Sequence, residues 1–249
     1  MRIALCTFAD ENVTTYSEIS TFIHRLYCSY HGYTYKVFSK RSCTNKSPHW
    51  EKIVCLQNML NESFDYVMWI DADAIFYDFS TKIEDIIQLS DTHIYWSSDF
   101  PYANGPKHFI NTGVILCKCT SWVKQFLEHW LNCEEGQPYY QSAYHEQQTI
   151  CELYNKNALN IKENSKIYGS YLFNMNLSED VSKKIDYDFP LFLKLFYNQI
   201  HILSIQRSEM IILPKPPSQP YILHIMRNTN PFRREYMLRR LKEILQKYF

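Results

Sequence analysis

The sequence predicts an α/β protein in which a central, mostly parallel sheet is flanked by helices. Three observations carry this expectation. Strand and helix patterns alternate from the first residues onward, as in βαβ units. The run Phe64-Asp65-Tyr66-Val67-Met68-Trp69-Ile70 is almost continuously apolar and rich in aromatic and β-branched residues, which a strand covered on both faces requires. The composition is globular, with 46% apolar and 16% aromatic residues in a chain of 249, long enough for one large domain with a substantial core. Residues 1–249 therefore read as a single domain that ends in a basic amphipathic helix at 231–249.

Taken in order, residues 2–8 form a first strand. The polar stretch 9–15 is the loop at its carboxyl end, where open α/β sheets contact nucleotides. Residues 16–31 carry Tyr16, Ile19, Ile23, Leu26, Tyr27 and Tyr30 at helical spacing, and Gly32 suits the helix end. Residues 33–38 alternate as a second strand. Ser47-Pro48 suits the start of a helix running to Leu60. Lys52 lies in its first turn, where the helix dipole disfavours a cation. That position fits a phosphate contact or a solvated lysine equally well.

Beyond the 64–70 strand, residues 82–89 predict a short helix, 93–96 a strand and 100–108 a loop. Residues 109–116 return as a strand containing Asn111-Thr112-Gly113. A glycine inside a strand marks close approach of a ligand or of another part of the chain. Residues 121–130 form an amphipathic helix with Ser121 as its N-cap, 134–144 a loop, and a further helix opens at Glu146. Short strands are predicted near Ile161 and at 166–168, and a helix at 190–197. Residues 200–203 and 210–213 are apolar pieces, 215–220 a rigid proline-rich connector, and 221–226 a last strand.

Asp71 and Asp73 end the apolar run, where buried charge costs several kcal/mol unless compensated. In a strand, residues two apart point the same way, so the two carboxylates converge. With no basic residue between them they suit a hard divalent cation, Mg²⁺ or Mn²⁺. The bland alternative is a polar strand end that caps the next turn. The five glycines form neither a dinucleotide fingerprint nor a P-loop. A diphosphate bound here would need a metal to neutralise it.

Formal net charge is zero and no long basic run exists, which argues against nucleic acid as the main partner. The eight cysteines are scattered, without zinc-ligand spacing. No signal peptide or membrane-spanning run is evident, so a reducing, cytoplasmic setting is expected. The terminal helix places Met237, Leu241, Ile244, Leu245 and Tyr248 on one stripe. Arg233, Arg234, Arg239, Arg240, Lys242 and Lys247 lie on the other face. That face is either simply solvated or held peripherally to anionic lipid or an acidic partner.

Several pieces in this order resemble glycosyltransferase family 34, the galactosyl, mannosyl and xylosyltransferase group. They are Trp50-x-Lys52, Tyr66-x-Met68-Trp69-Ile70-Asp71-Ala72-Asp73-Ala74, Asp99, Asn111-Thr112-Gly113 with Ser121-Trp122 and Trp130, His145-Glu146-Gln147, and His224. The resemblance spans residues 1–230. It departs in lacking a membrane anchor, in having no matched motif at 155–219, and in having no glycine directly after His224.

The resemblance implies the GT-A fold, a Rossmann-like sandwich that binds nucleotide-diphosphate sugars. It implies that Asp71, Asp73 and His224 hold Mn²⁺ or Mg²⁺ against the donor diphosphate. It assigns Thr7, Phe8 and Ala9 to the base, and Lys52 and Arg227 to the phosphates. Asp71 also falls to the ribose, and Asp99, Asn111 and Gln147 to the donor sugar. Anomeric configuration would be retained, with Gln147 near the anomeric carbon. Glu146 would be a hydrogen-bonding support, or a nucleophile if the reaction were a double displacement, and His145 an acceptor contact. The expected partners are a UDP- or GDP-sugar and a glycan acceptor. The alternatives are a nucleotidyltransferase and a catalytically inactive sugar-nucleotide-binding protein.

Overall fold

The computed structural model describes residues 1–76, 78–88, 91–98, 109–142, 144–168, 222–224 and 230–249. The expected helix at 190–197, the apolar pieces at 200–203 and 210–213, the connector at 215–220 and the loop at 100–108 lie outside them. So do Asp99 and Arg227.

Six strands form the central sheet. They are β1 (Ile3–Phe8), β2 (Thr34–Phe38), β3 (Tyr66–Ile70), β5 (Ile94–Ser98), β6 (Ile110–Lys118) and β7 (Ser165–Tyr168). Their order is β2-β1-β3-β6-β5-β7. β1 pairs parallel with β2 and β3, and β5 pairs parallel with β7; β6 runs antiparallel to β3 and β5. The mostly parallel sheet is therefore present, with one reversed strand in its middle. β4 (Ala74–Phe76) and β8 (Ile222–His224) form a separate antiparallel pair, with Ala74 opposite His224.

Strand alternation divides the core into two layers. Ile3, Leu5, Met68 and Ile70 face one cluster, which α1 (Thr14–His31), α3 (Ile83–Ile87) and the terminal helix α7 (Asn230–Tyr248) cover. Ala4, Cys6, Val67 and Trp69 face the other, under α2 (Glu51–Leu60), α4 (Ser121–Asn132) and α5 (His145–Asn155). Every residue of β3 is buried, as its continuous apolar run requires. This helix–sheet–helix sandwich is the GT-A arrangement.

Helix ends follow local chemistry. Gly32 adopts φ 76° and donates its N–H to Cys28 O, closing α1. Pro48 opens a 3₁₀ turn (Pro48–Trp50) that leads into α2. The N-cap of α4 is Thr120, not Ser121, because its Oγ1 accepts the Val123 N–H. The predicted loop at 134–144 contains a 3₁₀ stretch at Glu134–Tyr139. Near Ile161 the structure has a short helix, α6 (Ile161–Asn164), in place of a strand. There Asn157 Oδ1 takes the Lys162 N–H, and Ser165 Oγ donates to Ile161 O. All eight cysteines are free. Among the described residues no helix is long and apolar enough to cross a membrane.

Candidate active site

β3 ends at Ile70, so Asp71 and Asp73 do not converge by strand alternation. A turn brings them together instead. Asp71 N–H donates to Gly113 O at 2.8 Å, and Ala74 N–H donates back to Asp71 O at 2.9 Å. The turn then feeds β4, and β4 pairs with β8. That pairing delivers His224, 151 residues further along, to the same corner.

His224 Nε2 lies 3.0 Å from Asp73 Oδ1 and 3.6 Å from Asp71 Oδ2. One ligand atom from each of the three residues lies within 4.8 Å of the others. Two carboxylate oxygens and one imidazole suit a hard or borderline divalent cation. Ligands at right angles about an ion at ~2.1 Å stand about 3.0 Å apart, which matches the Asp73–His224 spacing. His224 is 4% exposed, and its buried Nδ1 has no hydrogen-bond partner among the described residues.

Gly113 makes room for this ring. A Cβ there would stand 2.1 Å from His224 Cε1 and 2.6 Å from His224 Nδ1. The close approach anticipated for this strand glycine is thus made by a side chain of β8. Burial raises the Asp73 carboxyl, but His224 and Arg233 outweigh it and hold the group below the usual range. Arg233, from the first turns of α7, places Nη2 2.9 Å from Asp73 Oδ2, with its guanidinium over the Tyr16 ring. By sequence alone Arg233 falls on the basic face of the helix.

Behind Asp71 lies a buried ion-pair network. Lys52 is 4% exposed, with Nζ 2.7 Å from Glu146 Oε1 and 3.4 Å from Asp71 Oδ1. It also donates to Thr112 O and Thr112 Oγ1. Burial lowers the Lys52 pKa, and the two acids more than reverse this. Burial raises Glu146 in turn, and Lys52 pulls it below the usual range. Trp69 Nε1 donates to Asp71 Oδ1 at 2.7 Å. The ammonium expected at a phosphate is thus directed to Glu146, Thr112 and Asp71. Glu146, 2% exposed, accepts from Lys52 and from Thr112 Oγ1.

Gln147 Oε1 accepts from Asn111 Nδ2 at 3.2 Å and from Thr112 N–H at 3.3 Å, so these two expected sugar contacts stand together. Thr7 Oγ1 is buried and donates to Ile70 O at 2.8 Å, while Ala9 N–H donates to Phe38 O. Of the predicted base-binding trio, Phe8 lines the cleft. His145 stacks on His49 with ring centroids 4.1 Å apart, and its Nδ1 meets Ser47 Oγ at 2.9 Å. Burial, then the neighbouring His49, lower the His145 pKa to about 4.

The acid turn is braced from behind by His24. Its Nε2–H donates to Ala74 O at 2.8 Å, and its Nδ1 accepts from Tyr35 Oη at 2.9 Å. Full burial lowers this imidazole to about 4 and keeps it neutral. In front of the turn a cavity of about 340 Å³ opens. Phe8, Asp10, Tyr16, His49 and Arg233 line it together with the two acids. Asp10, Tyr16 and Arg233 lacked any motif in the sequence that would have flagged them.

The fold is that of GT-A glycosyltransferases, and a family match together with structural neighbours supports a glycosyltransferase. Over residues 7–95 the sequence matches the galactosyl transferase GMA12/MNN10 family, a stretch that includes Lys52, Asp71 and Asp73. No curated protein matches in a sequence search. Solved structures share the fold. A glycosyltransferase involved in the glycosylation of the major capsid of PBCV-1 is 16% identical with a TM-score of 0.66, covering 96% of this chain and 100% of that one. The glycosyltransferase GlyE of Streptococcus pneumoniae TIGR4 is 13% identical with a TM-score of 0.55, covering 99% of this chain and 64% of that one. An active-site mutant of LgtC is 13% identical with a TM-score of 0.51, covering 96% and 95%.

Proposed function

We propose that the protein is a metal-dependent, retaining glycosyltransferase built as one domain. It would move a hexosyl or pentosyl unit from a UDP- or GDP-sugar to a hydroxyl of a glycan acceptor. The observation that carries this reading is the convergence of Asp71, Asp73 and His224 at the edge of the cavity.

The residues present fit a divalent ion, which when bound would act as a Lewis acid on the departing nucleoside diphosphate. Asp71, Asp73 and His224 would hold it. Arg233 adds positive charge beside the same oxygens, where charge develops as the sugar–phosphate bond breaks. Lys52 fixes Asp71 through their ion pair and holds Glu146 in its ionised form. Phe8 and Tyr16 offer aromatic surface to the nucleotide. Asn111 fixes the Gln147 amide beside the sugar. The acceptor oxygen bonds to the anomeric carbon on the face from which the diphosphate leaves, and its proton passes to the departing phosphate oxygen. Asp99 and Arg227, outside the described residues, complete the implied set.

The test is a donor-hydrolysis screen across UDP- and GDP-sugars with Mn²⁺, run on the wild type and on Asp73→Asn. Turnover that needs Mn²⁺ and disappears in the variant is expected. Undiminished turnover in Asp73→Asn would refute the metal role. An inverted anomeric centre in the product NMR spectrum would refute retention.

A further inference from the structure

The terminal helix carries features that sugar transfer leaves unexplained. Its inner side serves the fold, with Tyr236, Met237 and Ile244 buried against the α1 layer. Its outer side keeps large apolar groups in water: Leu238 is 39% exposed, Leu245 40% and Phe249 65%. Scattered exposed leucines are ordinary. These are not scattered, because Arg234, Leu238, Lys242, Leu245 and Phe249 follow one another at intervals of three and four and so form one line along the helix. Tyr30 of the neighbouring α1, itself 49% exposed, stands 6.1 Å from the Phe249 ring and extends the apolar end of that line.

Charge is concentrated on the same element. Residues 230–249 hold six basic and two acidic side chains in a chain of zero formal net charge, and of the six only Arg233 is turned inward to Asp73 among the described contacts. The two acids are engaged within the helix, Glu235 with Arg239 and Glu243 with Arg240.

We propose that this outer line of α7, with Tyr30, docks on a lipid bilayer that displays anionic headgroups. The cationic surplus selects a negatively charged surface. Leu238, Leu245 and Phe249 interleave with those cations and need an apolar layer directly beneath the charged one. A bilayer interface supplies both layers to a helix lying flat on it. An acidic protein surface supplies the charge alone. The inference rests on the helix surface and is independent of the proposed metal chemistry.

Co-sedimentation of the full chain with vesicles tests it. Vesicles of phosphatidylcholine are compared with vesicles containing ~30% phosphatidylserine, each at low salt and at ~0.5 M NaCl, where screening is strong. Binding is expected on the anionic vesicles at low salt, and roughly tenfold weaker on neutral vesicles or at high salt. The Leu238→Ser/Phe249→Ser double variant should bind at least tenfold less, with its melting temperature and donor hydrolysis unchanged. Lys242→Gln should weaken binding to anionic vesicles only. Three outcomes overturn the proposal. One is absence of vesicle binding. Another is binding that the double variant leaves within twofold. The third is a concentration-dependent dimer that Leu238→Ser abolishes, which would assign the face to a second copy.

Discussion

Gly113→Ala tests how His224 is seated. The new methyl would stand 2.1 Å from His224 Cε1, 2.6 Å from Nδ1 and 3.0 Å from Asn111 Oδ1. Carbon atoms in contact rest near ~3.5 Å, so the ring must retreat by about 1.4 Å. His224 Nε2 now lies 3.0 Å from Asp73 Oδ1, and a metal ligand tolerates displacement of only ~0.2 Å. A ring so displaced would no longer reach the proposed metal position. We expect Mn²⁺ affinity, measured by calorimetry with a nucleoside diphosphate present, to fall by at least ~100-fold, the upper end of what a disturbed ligand shell costs. Overpacking should also lower stability by ~1–3 kcal/mol in urea unfolding. The Gly113→Ala/His224→Ala double variant separates the two effects, because removing the ring restores stability while Mn²⁺ binding stays weak. Affinity within threefold of wild type in the single variant would refute the placement of His224 at the metal.

Two further predictions concern the groups behind the acids. Lys52→Met leaves buried Glu146 and Asp71 without their shared cation, which costs ~3–5 kcal/mol of unfolding free energy; adding Glu146→Gln should recover much of the loss, and no loss in Lys52→Met would show the network to be weak. His24 binds a proton near pH 6.5 when unfolded but only near 4 when folded, so the unfolded state binds more protons between these values and stability falls as pH drops through that window. The loss amounts to ~3 kcal/mol, and urea midpoints measured from pH 7 to pH 4 should show it in wild type and show it reduced in His24→Gln.

The sequence made some of this site legible and hid the rest for physical reasons. The acid pair stood out because carboxylates at the end of a wholly apolar strand contradict their surroundings. The mechanism inferred for their convergence was wrong, since a tight turn and not strand pleating does it; turn geometry depends on Gly113 O, 42 residues away in the chain. Lys52 was flagged by its unfavourable place in a helix first turn, and that anomaly has a cause. The ammonium is held by Glu146 and Asp71, partners that no local window contains. His224 was reached only through family resemblance, because the pairing of β4 with β8 leaves no pattern in either segment. Arg233 was invisible for the opposite reason. On a helix rich in arginines, one that turns inward looks like those that turn out.

Arg233 also bears on the order in which guests enter the cleft. Asp71, Asp73 and Glu146 face Lys52 and Arg233, so these five side chains formally carry one surplus negative charge. A divalent ion alone would reverse that sign, and a sugar nucleotide alone would deepen it. The two together are electroneutral and leave the balance untouched. Under the proposed function the cleft is therefore expected to take the ion and the nucleotide as one neutral complex, and each is expected to bind poorly without the other.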